Sequence, residues 1–376
     1  MTGKRSFGSV RLMGSGRYQA SYWHGGCRHV AEVTFRTKGD AQTFLDTVSA
    51  DMHRGLWTDP TDGEITVSEL SDLWLASNPS KRATTRATDE IALRVHILPF
   101  LGDKQIAKVK PPHIHALISG WAANAAPRTV RRQYATLRAM FAFAVQCEWI
   151  SRTPCRAVKL PPVTSTRRHT LAPDDVTAIA EATDAQYRPM VWIGAVLGLR
   201  WSEVAGLRVG RVDFLQRTLT VAEALTRDGK GRPVLSSPKS TAGSRTLAIP
   251  PVLADILAEH MVKCGLALAD RDRFLFESQN ETLLRYSNWR RSVWAPAAAA
   301  AGHPDAGFHD LRRASATGLV SRGVDIKTVQ ARLGHSDPRL TLQVYAEVVQ
   351  EADKNAADVM GEYFLLGIRE RPHAVG

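Results

Sequence analysis

Between Ser151 and Thr170 the chain carries Pro154, Pro161 and Pro162 among basic and small polar residues. This stretch constrains the fold more than any other. Proline fixes φ and removes a backbone donor, and it pushes the preceding residue out of the α region. Neither a helix nor a central strand can run through such a segment, so residues 151–170 read as a connector between separately packed bodies. The length of 376 residues agrees, because domains of roughly 100–150 residues give two or three here.

Two modules precede the connector. In residues 1–60, strand-like runs at Gly8–Leu12, Tyr18–Trp23 and His29–Phe35 are separated by glycine-containing turns, which predicts a small β-rich module. A helix over Lys38–Arg54 closes it, with Ala41, Phe44, Leu45, Val48 and Met52 at helical spacing. Residues 66–150 read as all-helical, with helices from Ser68, over Thr84–Ile97, over Pro112–Ala122 and over Pro127–Trp149. The last carries a core stripe of Val130, Tyr134, Leu137, Met140, Phe141, Phe143 and Val145, with Arg128, Arg131, Arg132 and Arg138 mainly off it. Residues 171–361 read as a mainly helical domain with a β-rich insert over Arg211–Ile249, and 362–376 as a tail. The expected class is therefore multidomain α+β.

Composition narrows the function. Lys and Arg number 49 against 37 Asp and Glu, a formal charge of +12. Residues 61–160 hold 14 basic against 8 acidic residues, half of the surplus in about a quarter of the chain. That distribution fits a module lying on phosphates beside a more balanced one that holds chemistry. No apolar run is long enough to span a bilayer, and the start MTGKRSFGSV has no apolar signal core, so the protein is expected in the cytoplasm. Cysteines 27, 147, 155 and 264 form no close pair of the kind that binds zinc or reads as a disulfide framework. No H-E-x-x-H, phosphate-binding P-loop or dinucleotide-binding glycine fingerprint occurs, so neither metal nor nucleotide cofactor is expected.

What remains is a set of cationic residues with a late tyrosine: Arg200 in GLRWSEVAGLR, Lys239 in SSPKSTAGSRTLAIP, His309 and Arg312 in FHDLRRASATGLV, His335 in ARLGHSDPRLT and Tyr345 in LTLQVYAEV. Singly each has an ordinary structural explanation. Arg200 can cap a helix against Glu203, and Tyr345 can be a core aromatic. Together they suffice for phosphoryl transfer. Arginine forks and imidazoles stabilise charge on a phosphodiester in flight, a tyrosine hydroxyl attacks, and a lysine protonates the leaving oxygen.

These boxes resemble the tyrosine recombinases, also called the phage integrase family, over nearly the whole chain. GLRWSEVAGLR is similar to the first arginine box, PKSTAGSRTLAIP to the lysine hairpin, HDLRR to the His-x-x-Arg box and LGHSDPRLTLQVYAEV to the tyrosine box. The resemblance implies catalytic Arg200, Lys239, His309, Arg312, His335 and Tyr345, with Glu203 in support and Lys230 as the alternative lysine. Where the family often has histidine after HDLR, this chain has Arg313. It also implies a 3′-phosphotyrosyl intermediate and strand exchange in a DNA-bound tetramer.

Residues 66–150 resemble the core-binding domain, and residues 1–60 the arm-binding domains of integrases from actinobacterial phages and integrative elements. The implied function is integration, and excision, of a mobile element at duplex DNA attachment sites. The implied partners are an excision factor and a host DNA-bending protein, with no membrane, and the implied location is the bacterial cytoplasm, on the nucleoid when bound to DNA. Two readings stand beside it: a cellular recombinase resolving chromosome dimers, and a catalytically inactive DNA-binding regulator.

Overall fold

The computed structural model describes residues 7–55, 57, 59, 61–163, 170–229, 231–237, 243–278, 280, 282–335, 337–339, 341–342, 344–346, 357, 359–361 and 363–364. The chain divides into two compact units, residues 1–165 and 166–376.

In the first unit Ser9–Leu12 (β1), Tyr18–His24 (β2) and Cys27–Val30 (β3) form an antiparallel sheet in that order. Gly25 and Gly26 both adopt positive φ, as a two-residue turn matched to the twist of its strands requires. The third run stops at Val30, short of the expected Phe35. The chain leaves the ladder and returns only at a Tyr18–Phe35 bridge, held there by Arg17 bonding the side chain and carbonyl of Thr34. Helix Lys38–His53 (α1), capped by Thr37, covers one face with Ala41 and Leu45 against Ala20 and Tyr22. The register puts Arg11, Gln19, Ser21, Trp23 and Arg28 on the other face, because successive side chains alternate. Arg11, Trp23 and Arg28 there are exposed.

Helices Val67–Ala76 (α2), Ala83–Ile91 (α3), Leu98–Leu101 (α4), Pro111–Asn124 (α5) and Pro127–Gln146 (α6) build a second core within this unit. Val67, Leu70, Leu93, Ile97, Ile114, Leu137, Met140 and Phe141 fill it. The helix expected over Thr84–Ile97 is interrupted: α3 ends at Ile91 and a wide π turn spans Ala92–Ile97. Pro99 follows, and it cannot donate to the carbonyl four residues back, so the ladder widens ahead of it. On α6 the expected stripe is buried at Val130, Tyr134, Leu137, Met140 and Phe141. Phe143 and Val145 are half-buried, and all four arginines face out.

The second unit is helical around an insert of strands. Pro173–Ala182 (α7), Arg188–Val196 (α8) and Trp201–Val204 (α9) precede Val212–Asp213 (β4), Thr218–Val221 (β5), Ala224–Arg227 (β6), Pro233–Ser236 (β7) and Arg245–Ala248 (β8). The order β4-β5-β8 forms one antiparallel sheet, and β6-β7 is a separate hairpin between β5 and β8 in the chain. Then come Pro251–Lys263 (α10), Tyr286–Trp289 (α11), Ala295–Ala300 (α12), Phe308–Ser321 (α13) and Ile326–Leu333 (α14). A second π turn, Arg290–Trp294, again precedes a proline, Pro296.

Helices α8 and α13 touch through Gly194, where an added Cβ would lie 2.8 Å from the Phe308 ring. Gly198 ends α8's turn with φ +66°, and a Cβ there would lie 2.3 Å from Leu333 Cδ2. Both the left-handed backbone and the lack of space require glycine. Gly198→Ala should therefore cost about 1–3 kcal/mol from backbone strain alone, read as a lower midpoint in urea unfolding. An unchanged midpoint would contradict this packing.

Candidate active site

The site grows from four segments of the second unit, α9, β8, α13 and the end of α14. After Gly198 the backbone turns into α9 with Arg200 at its N-cap, and Glu203 reaches back to accept the Arg200 amide at 3.0 Å. That bond from the N-cap amide to the N3 carboxylate fixes the position of the first helical turn. Glu203 Oε1 also accepts from Arg200 Nη1 at 2.7 Å. From β8, Arg245 donates through Nη2 to Glu203 Oε2 at 3.0 Å, and through Nε to the Arg332 carbonyl at 2.8 Å. From α13, Arg312 donates through Nη1 to the Gly198 carbonyl and through Nη2 to the Leu333 carbonyl, each at 2.6 Å.

Helix α14 leaves its last carbonyls without partners inside the helix. Two guanidiniums take those of Arg332 and Leu333, where positive charge suits the helix dipole. Gly334 then turns left-handed, and the His335 amide bonds back to the Gln330 carbonyl, the Schellman closure that sets where His335 begins. The His335 ring faces Thr341, with Nδ1 2.9 Å from Oγ1.

Charge is concentrated and only partly neutralised. Burial opposes ionisation of Glu203, but the Arg245 hydrogen bonds and charge, with those of Arg200, outweigh it and hold the carboxyl below its usual range. Arg312 is 2% exposed. Burial, then the nearby Arg200 charge, press its guanidinium down to about 9, still cationic at neutral pH. Desolvation, then Arg312 and Arg200, push His335 down to about 4. The same causes in the same order lower His309 at the start of α13. The result is three guanidiniums and two neutral imidazoles around Glu203, with the Asp310 carboxylate acting on His309.

Arg200, His309, Arg312 and His335 thus come together as one electrostatic cluster. Lys239 and its alternative Lys230 lie outside the described residues. Tyr345 stands in a helical turn with 43% of its surface exposed. Among the described residues no hydrogen bond or ion pair engages its hydroxyl. The residue that sequence reading passed over is Arg245. Its signal was there: in the strand Arg245–Ala248 it is in phase with buried Leu247, and an inward arginine needs a buried acid, which Glu203 supplies.

Three stretches match known family models: residues 6–54 the phage integrase N-terminal domain, 67–160 the phage integrase central domain, and 169–352 the phage integrase family. The chain is 31% identical over 374 residues to the prophage phiRv2 integrase of Mycobacterium tuberculosis, covering 96% of each. The chain belongs to the phage integrase family. It is a site-specific tyrosine recombinase, a DNA strand-transferase of the kind that integrates mobile elements. Its fold is similar to that of the Tn1549 transposon integrase in complex with a circular intermediate DNA, at TM-score 0.64 and 18% identity over 78% of this chain and 99% of that one. It is also similar to a lambda integrase tetramer bound to a Holliday junction, at TM-score 0.57 and 18% identity over 88% and 96%.

The cluster gives the recombinase a pH signature. His335 takes a proton near 6.5 in the unfolded chain and near 4 when folded. Between those values only the unfolded chain binds the proton, so stability falls as pH falls through that window. His335→Gln should flatten the decline of melting temperature between pH 6.5 and 4 relative to the parent. Parallel curves for the two proteins would refute a neutral, desolvated His335.

Proposed function

We propose that Tyr345 is the nucleophile of this recombinase and that Arg200, His309, Arg312 and His335 bind and activate the scissile phosphate. The observation that carries this reading is the surplus of guanidinium charge around Glu203, which leaves the cluster attractive to a phosphodiester. The Tyr345 oxygen passes its proton to a neutral imidazole of the cluster and attacks phosphorus, the bond from phosphorus to the 5′ oxygen breaks, and a 3′-phosphotyrosyl link remains. Lys239 protonates the departing 5′ oxygen as general acid. The free 5′ hydroxyl of a partner strand then attacks the phosphotyrosyl link and restores the tyrosine. Imidazoles held neutral can accept as well as donate a proton, a use that a charged imidazole lacks.

Residues 1–60 act as the arm-binding module, 66–150 as the core-binding domain, 151–170 as linker, 171–361 as the catalytic domain and 362–376 as tail. The sheet face of exposed Arg11, Trp23 and Arg28 with half-buried Gln19 supports the first assignment, because a β element with cationic and amide side chains fits a DNA groove. Self-association on DNA follows the lambda integrase tetramer, and integration and excision take place in the bacterial cytoplasm. An excision factor and a host bending protein complete the proposed partner set. A chromosome-dimer resolvase would run the same chemistry. Full-length similarity to a prophage integrase, N-terminal module included, favours the element integrase.

Tyr345→Phe should abolish the SDS-resistant adduct on a nicked suicide duplex carrying the site that the full-length protein selects from a randomised pool. Duplex binding should persist, since only the nucleophilic oxygen is lost. The parent should form its adduct in excess EDTA, because guanidiniums stand where a nuclease would place metal charge. An adduct from the Phe variant, or loss on chelation restored by magnesium, would overturn the assignment.

Arg11→Ala with Trp23→Ala should leave cleavage of a short core duplex intact. Recombination on a substrate with long flanks should fall on the order of 100-fold, as linked contacts are lost. Equal recombination by both proteins on the long substrate would remove the arm-binding assignment.

A further inference from the structure

We propose that Arg245 is a positioning residue that sets the geometry of Arg200 through Glu203 and of His335 through the end of α14. The inference rests on the catalytic reading above and adds a residue to it. Arg245 is 7% exposed in its side chain and Glu203 6%, so the pair is shut away from water. Its three nitrogens serve three segments. Nη2 and Nη1 reach the two Glu203 oxygens at 3.0 and 3.4 Å. Nη1 also reaches the Gly243 carbonyl at 3.2 Å, and Nε reaches the Arg332 carbonyl at 2.8 Å.

Each connection orients something that the chemistry uses. Glu203 divides its carboxylate between Arg245 and Arg200, so the Arg245 fork fixes the plane against which Arg200 lies. The Arg332 carbonyl is three residues before His335, and its neighbour, the Leu333 carbonyl, is held by Arg312. Arg245 and Arg312 therefore grip adjacent carbonyls and fix the helix end from which His335 departs. Arg245 is itself fixed by its strand, since β8 pairs with β5 with Arg245 opposite Val221 and Leu247 opposite Leu219. A planar fork on a paired strand holds all of these partners at once. A lysine ammonium is a point donor and cannot.

Arg245 also controls the charge of Glu203. The groups facing that carboxylate are Arg200 from α9, Arg245 from β8 and Arg312 from α13, with His309 and His335 in the same cluster. Removing the Arg245 charge leaves a buried carboxylate with fewer counter-charges, and it then takes a proton at higher pH. The protonated acid releases the Arg200 side chain.

The test is single-turnover adduct formation by the full chain on the selected suicide duplex, from pH 5 to 9, with melting curves and duplex binding measured alongside. Arg245→Gln should bind duplex like the parent but form adduct about 100-fold more slowly, as expected for a misplacement of about 1 Å. Its acid limb should move toward neutral pH. That movement should vanish when Glu203→Gln is added, because the titrating group is gone. Arg245→Lys should restore the acid limb by restoring the charge, while staying at least about tenfold slow for want of the fork.

Parental rates in either variant would overturn the proposal. So would a slow Arg245→Gln whose acid limb is unmoved, since a purely structural role leaves the titration alone. If Arg245→Gln fails to fold, Arg245→Lys alone decides through its rate. An inactive parent would instead strike the catalytic reading on which the proposal stands.

Discussion

A carboxylate in the interior of the second unit is costly to bury unless it is paired and fully hydrogen-bonded. Glu203 meets both conditions, with Arg200 on one side, Arg245 on the other and the Arg200 amide closing the turn. Removing one partner of a buried pair typically costs about 3–5 kcal/mol, because the other is left uncompensated. Glu203 is thus the point at which α9, β8 and, through Arg245, the end of α14 are made mutually dependent. Arg312 adds a second tie between the Gly198 turn and the same helix end. The segments carrying Arg200 and His335 are far apart in sequence, and backbone carbonyls gripped by guanidiniums bring them to one place.

Much of this architecture was legible where local chemistry dictates it. The N-terminal strands, the α1 pattern and the apolar stripe of α6 followed from spacing alone. Sequence reading failed where a ladder is interrupted by a non-local cause. Pro99 lies beyond the end expected for its helix, yet its missing donor widens the preceding turn over Ala92–Ile97, a change invisible to periodicity. Val30, Val33, Thr34 and Phe35 favour a strand, but side-chain bonds from Arg17 to Thr34 set where the ladder resumes. The hairpin β6-β7 escaped notice inside the insert because its strands are only four residues each.

The site divides in the same way. Residue type and box similarity point to Arg200, Lys239, His309, Arg312, His335 and Tyr345; Arg200, His309, Arg312 and His335 share one electrostatic cluster, and Lys239 lies outside the described residues. The first arginine box gave Glu203 as support, but no box revealed the parts of Arg245 and of the α14 carbonyls. Arg312 looked from sequence like a phosphate ligand alone. In the fold two of its donors are committed to carbonyls, leaving the remaining donors of its five for anything else. Arg245 was passed over because a strand arginine usually points to solvent. Only its phase with Leu247 betrays that it faces in.

The arrangement carries its own electrostatic tension. Burial first, and then repulsion from Arg200 and its neighbours, lower Arg312 to about 9 and His335 to about 4. In the folded protein this repulsion is a standing destabilisation, of the kind that active sites retain at the expense of stability. Under the proposed roles it also has a direction. A bound phosphodiester brings one negative charge, and the pentacoordinate state formed by tyrosine attack brings more charge onto the same oxygens. Each added increment relieves repulsion among groups already fixed in place by Glu203 and the α14 carbonyls. The relief is therefore greater in the transition state than in the bound substrate, and that difference lowers the barrier. Rigid support and uncompensated charge are for this reason complementary. Mobile guanidiniums would relax away from one another before substrate arrived, and the advantage would be gone.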